Sequence, residues 1–150
     1  MIQNNQTIEI DIHTLEKYTQ DILSYLGYPD FDIGILLCDI PTMQLYNKQY
    51  RNKDVPTDIL SFSFYPNLKA GETIQATSTD EKILGDIIIC PEYVQNDLER
   101  WRQSFEERMQ VLLVHGICHL LGYDHINDED YVIMKKKENE LITLLKNKEK

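Results

Sequence analysis

A chain of 150 residues with 42% hydrophobic side chains has enough apolar material for one buried core and fits a single domain over residues 1–150. Lys and Arg number 15 against 25 Asp and Glu, and the formal net charge of −10 excludes a protein that grips nucleic acid through an all-round basic surface. No apolar run is long enough to span a bilayer, residues 1–12 lack the form of a secretion signal, and Cys38, Cys90 and Cys118 make no C-x-x-C pair, so a cytoplasmic protein with reduced cysteines is expected.

In chain order, Thr7–Ile10 reads as a short first strand. Leu15, Tyr18, Ile22 and Leu26 then recur at helical intervals until Gly27 and Pro29 stop the pattern. The apolar run Ile33–Cys38 has no room for a helix and is expected to be a buried strand. Asp39 as cap and Pro41 in the first turn suit a second helix, with Met43, Tyr46 and Tyr50 along its inner face. Pro56 pushes Val55 out of helical geometry, so the segment Asn47–Asp58 ends as an extended loop. Leu60, Phe62 and Phe64 alternate with Ser61 and Ser63, which predicts a strand over Ile59–Tyr65 with one buried and one polar face. Pro66–Lys82 is a polar surface excursion in which a small hairpin arm is expected around Thr73–Ala76. Ile83–Cys90 is an apolar strand interrupted by Asp86, a carboxylate that either serves a site or faces water at a strand edge. Pro91 starts a third helix carrying Val94, Leu98 and Trp101.

Ser104 and Glu107 form an S-x-x-E capping box that opens the next helix, and Phe105, Met109 and Leu112 give it an apolar face. That helix runs into HGICHLLGYDH, residues 115–125. His115 and His119 stand one turn apart on one face, Gly122 can take the left-handed conformation that ends a helix, and the turn returns His125 toward them. Three imidazoles with a fourth position left to water describe a catalytic zinc site rather than a closed structural one. The spacing is that of the long metalloprotease signature, with Gly116 where proteases carry their glutamate base, so the cage is kept while the chemistry differs. His13 reads as an ordinary surface residue, and Asn127 caps a last helix with Met134, Leu141 and Leu145 as its core stripe. Against the acidic background, the local basic clusters that could meet RNA are Lys48, Arg51 and Lys53, then Arg100, Arg102 and Arg108.

HGICHLLGYDH, preceded by NKQYRNKDVPTDILSF and LGDIIIC, resembles the YbeY family of bacterial metal-dependent endoribonucleases, from about Ile33 to the last helix. The resemblance implies an α+β fold, a small mixed sheet of about four strands packed with about five helices, one of them a zincin-like metal-bearing helix. It implies that His115, His119 and His125 bind one Zn2+, that His115 thereby belongs to the catalytic centre, and that Arg51 contacts the scissile phosphate. Lys53, in the same basic cluster, is a second candidate for substrate binding. The implied substrate is single-stranded RNA, in 16S ribosomal RNA 3′-end maturation and ribosome quality control. A ribosomal protein or an assembly GTPase is the implied partner, and neither membrane nor DNA is expected.

The residues support that chemistry on their own terms. A zinc ion lowers the pKa of a bound water to about 7 and acts as a Lewis acid. Arg51 offers a planar, bidentate clamp for phosphate oxygens. With glycine at 116, proton transfer falls to the metal hydroxide, to a water or to a carboxylate such as Asp124, which could equally orient an imidazole. Attack by water and attack by the RNA 2′-hydroxyl both stay open. Two other readings compete: a metallopeptidase whose base comes from elsewhere in the chain, and a ribosome-assembly binding factor whose zinc is mainly structural.

Overall fold

The computed structural model describes residues 1–76 and 78–149. Four strands, β1 (Ile2–Asn5), β2 (Asp32–Cys38), β3 (Ile59–Ser63) and β4 (Ile83–Ile89), form one sheet in the order β1-β2-β4-β3. The β1–β2 and β2–β4 pairs are parallel and β3–β4 is antiparallel, so the sheet is mixed. The helices are α1 (Ile12–Tyr25), α2 (Ile40–Arg51), α3 (Pro91–Asn96), α4 (Leu98–Trp101), α5 (Phe105–Leu120) and α6 (Asp128–Lys148). This is the α+β architecture expected. Among the described residues no helix is long and apolar enough to cross a membrane.

The two faces of the sheet are unlike. Ile33, Ile35 and Leu37 of β2 and Ile87 and Ile89 of β4 join the main core with Ile22 of α1, Leu113 and Ile117 of α5, and Met134 and Leu141 of α6. Each such side chain, fully buried, contributes about 1.5–3 kcal/mol. On the opposite face Leu60 and Ile88 meet Cys38, Cys90 and Met43 of α2 in a smaller cluster. The cysteines are free and buried, as expected of small hydrophobes.

Several expectations are corrected. The first strand lies at Ile2–Asn5, not Thr7–Ile10: the terminal ammonium donates to the Ile33 carbonyl (2.9 Å), seating the start of the chain on β2. The Gln6 side chain both accepts from the Ile8 N–H and donates to its carbonyl, which closes a turn where the strand was expected. The third helix breaks at Asp97 into α3 and α4, and the Asp97 carboxylate accepts the Trp101 indole N–H (3.2 Å). Strand β3 stops at Ser63, whose Oγ accepts the Tyr65 N–H and donates to the Leu120 carbonyl (2.9 Å), and Phe64 is left exposed. Thr73–Ala76 forms no hairpin; Ile74 is buried and donates its N–H to the Tyr28 hydroxyl (3.1 Å).

Candidate metal centre

Helix α5 is held firmly at both ends. Ser104 Oγ accepts the Glu107 N–H (3.1 Å) and Glu107 Oε1 accepts the Ser104 N–H (3.2 Å), completing the capping box read from the sequence. At the other end the Tyr123 N–H reaches the Cys118 carbonyl and the Gly122 N–H the His119 carbonyl, both at 3.1 Å, the paired bonds of a Schellman turn. Gly122 takes φ +91°, and a Cβ there would fall 2.3 Å from the Leu68 carbonyl oxygen, so the turn needs glycine for conformation and for space. Gly116 faces the sheet: a Cβ on it would meet Ile59 Cδ1 and Ile87 Cδ1 at 3.0 Å.

Beside that contact the three histidines converge, in a cleft that Ile59 also lines. One ring nitrogen from each of His115, His119 and His125 lies within 4.8 Å of the others, a set that could hold one ion. The Nε2 atoms of His115 and His119 are 3.0 Å apart. Their Nδ1 atoms are tied elsewhere, His115 to Glu138 Oε2 of α6 (2.9 Å) and His119 to the Tyr123 carbonyl (3.0 Å). Such outer hydrogen bonds fix the tautomer and aim Nε2 inward, as in metal-ligating histidines generally. Burial, then the nearby His115, lowers the His119 pKa, which favours the neutral ligating form. Burial works against the Glu138 carboxylate, but the hydrogen bond and charge of His115 prevail and hold its pKa below the ordinary value. His125 is exposed, at the mouth.

The histidines open into a cleft of about 560 Å³ that also contains Arg51, Lys53, Thr57, Ser61 and Asp124. The polar face of β3 therefore lines this cleft. Arg51, in the last turn of α2, donates from Nη2 to the Ser61 carbonyl (2.9 Å) and lies 4.7 Å from the centre of the Phe62 ring. The loop that follows is anchored by buried Asn47, whose Nδ2 donates to the Val55 carbonyl (2.9 Å).

The sequence-predicted residues thus fall into two groups. His115, His119, His125, Arg51, Lys53 and Asp124 share the cleft. Asp124 Oδ1 accepts the backbone N–H of His125 (2.8 Å), while the imidazole contacts come from Glu138 and the Tyr123 carbonyl. Lys48 turns toward Asp54 (3.9 Å) and lies outside the cleft. Arg108 is buried, 3.6 Å from the centre of the Trp101 ring and 3.4 Å from Asp58, so the second basic cluster spends a member on packing. Asp86 is exposed on the other sheet face. Glu138 was not singled out from the sequence. Its signal was there: with Met134, Leu141 and Leu145 it forms an i, i+4, i+7, i+11 stripe, a carboxylate on the core-facing side of α6.

Fold and site together define an α+β protein whose three converging histidines form an open cluster that could hold one metal ion. The family model described as "Endoribonuclease YbeY" matches residues 1–146, and the chain belongs to that family. Curated relatives bearing the same name include a human protein, 38% identical over 143 residues that span 95% of this chain and 85% of the relative. Others come from Alkaliphilus oremlandii (35% over 135 residues, 89% and 85%) and Lysinibacillus sphaericus (36% over 141 residues, 93% and 89%). The solution structure of TM1509 from Thermotoga maritima superposes with a TM-score of 0.64, covering 99% of this chain and 91% of that one; at 22% identity the likeness speaks for the fold.

Proposed function

We propose that this chain is a zinc-dependent endoribonuclease that cuts single-stranded RNA, working as one unit over residues 1–150. Its place would be the cytoplasm, in 16S ribosomal RNA 3′-end maturation and ribosome quality control, beside a ribosomal protein or an assembly GTPase. The observation that carries the reading is the shared cleft, with three converging imidazoles and the Arg51 guanidinium. The printed name of the relatives, Endoribonuclease YbeY, supports the reaction class.

His115, His119 and His125 would hold the ion, which when bound supplies Lewis acidity toward phosphate oxygens and acidifies a water. Arg51 presents two N–H groups of its fork to the phosphate, steadied by the Ser61 carbonyl and the Phe62 ring. Lys53 adds a second cation, which draws an anionic strand into this cleft of an otherwise acidic protein. Glu138 and the Tyr123 carbonyl keep the rings of His115 and His119 turned inward. Asp124 carries the one carboxylate among the described residues lining the cleft, which supports it, beside the metal hydroxide or a water, as a proton acceptor for the attacking hydroxyl or water. Position 116, where the long metalloprotease signature carries its glutamate base, is a glycine facing Ile59 and Ile87, so a peptidase would have to draw its base from elsewhere in the chain.

The test is direct. The purified chain is assayed for bound metal and challenged with single-stranded RNA, duplex RNA and a peptide library, with and without chelator. Cleavage of single-stranded RNA that chelator abolishes, and that Arg51→Ala abolishes while metal content stays, is the expected result. Peptide cleavage, or RNA cleavage that survives loss of metal in His119→Ala, would overturn the reading.

A further inference from the structure

Strand β3 ends the sheet and pairs with β4 on one side only. In an antiparallel pair, successive residues turn their backbone N–H and C=O alternately toward the neighbour and away from it. Two flanking bonds fix which is which: the Cys90 N–H donates to the Asp58 carbonyl and the Phe64 N–H to the Leu84 carbonyl, both at 2.9 Å. Leu60 and Phe62 therefore face β4, and Ile59, Ser61 and Ser63 turn their backbone groups outward. Arg51 agrees with that direction, since the Ser61 carbonyl takes its Nη2 donor (2.9 Å). Among the described residues the N–H groups of Ser61 and Ser63 have no acceptor, and both residues line the metal cleft. The edge also runs beside the histidines of α5. A Cβ on Gly116, next to His115, would meet Ile59 at the start of β3, and Ser63 Oγ at its end donates to the carbonyl of Leu120, next to His119.

A bare strand edge ordinarily recruits another strand, because each outward residue offers a peptide both a donor and an acceptor. At Ser61 the acceptor is taken by Arg51, and the guanidinium that covers it stands beside the Ser61 N–H, which leaves the same side of the strand. What the edge still offers is donors: two amides, with the Arg51 fork and Lys53 in the same cleft. The carboxylate of that cleft, Asp124, is itself engaged by the His125 N–H (2.8 Å). Donors next to positive charge oppose a peptide ladder and fit a chain whose acceptors are anionic oxygens at regular intervals, a phosphodiester backbone. The two amides lie two residues apart, about 6.8 Å along the strand, too far for one phosphate oxygen to bridge.

We propose that the outer edge of β3 is a track for the RNA backbone: the Ser61 N–H joins Arg51 on one phosphate, and the Ser63 N–H holds the next acceptor along the strand. The proposal rests on the nuclease reading of the cleft but is tested apart from it. Amide hydrogen exchange is followed by NMR in the zinc-loaded full-length chain, alone and with a single-stranded oligoribonucleotide, 2′-O-methylated to slow its cleavage. Cleavage of unmodified RNA by the same preparation is measured in parallel. The Ser61 and Ser63 amides are expected to exchange at least about tenfold more slowly with the oligonucleotide, while those of Leu60 and Phe62, already bonded to β4, stay slow throughout. Ser61→Pro deletes one outward donor and leaves the ladder to β4 in place, because an edge strand tolerates proline where the N–H faces out. It is expected to weaken oligonucleotide binding about 10–100-fold, the loss of one hydrogen bond to a charged group, with zinc content kept. The slope of log affinity against log salt should not change, since an amide carries no net charge, whereas Arg51→Ala should flatten that slope by about 0.7.

Unchanged exchange at Ser61 and Ser63 in excess oligonucleotide would overturn the proposal, and so would full affinity in a folded Ser61→Pro chain. Should that variant fail to fold, the exchange rates of the unaltered chain decide alone. Protection by polyglutamate but not by the oligonucleotide would give the edge to an acidic peptide and end the proposal. A chain whose edge amides are protected but which cuts no RNA loses the nuclease reading and keeps the track; cutting with unprotected edge amides does the reverse.

Discussion

Glu138 Oε2 lies 2.9 Å from His115 Nδ1, so one carboxylate of α6 orients an imidazole on α5 that is a candidate metal ligand. Glu138→Ala is expected to weaken zinc binding about 10–100-fold, measured by competition with a chromophoric chelator. Glu138→Gln, which can still accept a hydrogen bond, should recover part of that loss. Equal affinity in all three proteins would leave Glu138 without this role.

Among the described residues Arg51 makes no hydrogen bond to the three histidines and instead donates to the Ser61 carbonyl. Arg51→Ala should therefore bind zinc like the unaltered protein while RNA cleavage falls about 10²–10³-fold, the range seen when one oriented donor to a transition-state oxyanion is removed. Arg51→Lys restores charge but not the bidentate fork, so single-turnover rates should recover only in part.

Substituting the peptidase base at position 116 should not create a peptidase. A Cβ there already meets Ile59 and Ile87 at 3.0 Å, and a carboxylate beyond it enters the core without a partner. Gly116→Glu should cost at least about 2 kcal/mol in urea unfolding and show no cleavage of a peptide library.

Tyr18 of α1 donates its hydroxyl to Glu149 Oε1 just past α6 (2.5 Å), and burial together with that bond pushes its pKa up to about 12 from 10.0. The folded state favours the neutral phenol. This contribution is complete below pH 10 and is lost as pH rises from about 10 through 12, where the unfolded chain ionises first. Urea titrations of metal-free protein from pH 9 to 12 should show stability falling over that window, and Tyr18→Phe should fall less steeply. Parallel slopes for the two proteins would count against the assignment.

What was legible in the sequence was local. Ser104 and Glu107 start α5, the i, i+4 spacing puts His115 and His119 on one face, and Gly122 turns the chain toward His125; each step involves neighbours in sequence. The resemblance assigned Arg51, on α2, to the same reaction as the three histidines, and the fold puts all four in one cleft. Glu138 was missed because the stripe on α6 puts it on the core-facing side but does not tell which side chain of α5 it meets. The polar face of β3 was readable as polar, but the cleft it lines exists only once α5 lies across the sheet. Strand β1 escaped because IQNN is polar and three of its four residues stay exposed; its position comes from pairing with β2.

The Leu68 carbonyl occupies the place a side chain at residue 122 would need, so the turn that brings back His125 is braced by an earlier stretch of chain. His115 and His119 ride on a long helix and need no such brace. Loosening residues 66–69 should free one of the three candidate ligands, His125, and spare the other two. Ion occupancy and the local opening of that stretch are then thermodynamically linked: zinc should shield it from proteolytic nicking, and a cut there should leave a protein that still melts cooperatively but lets its metal go.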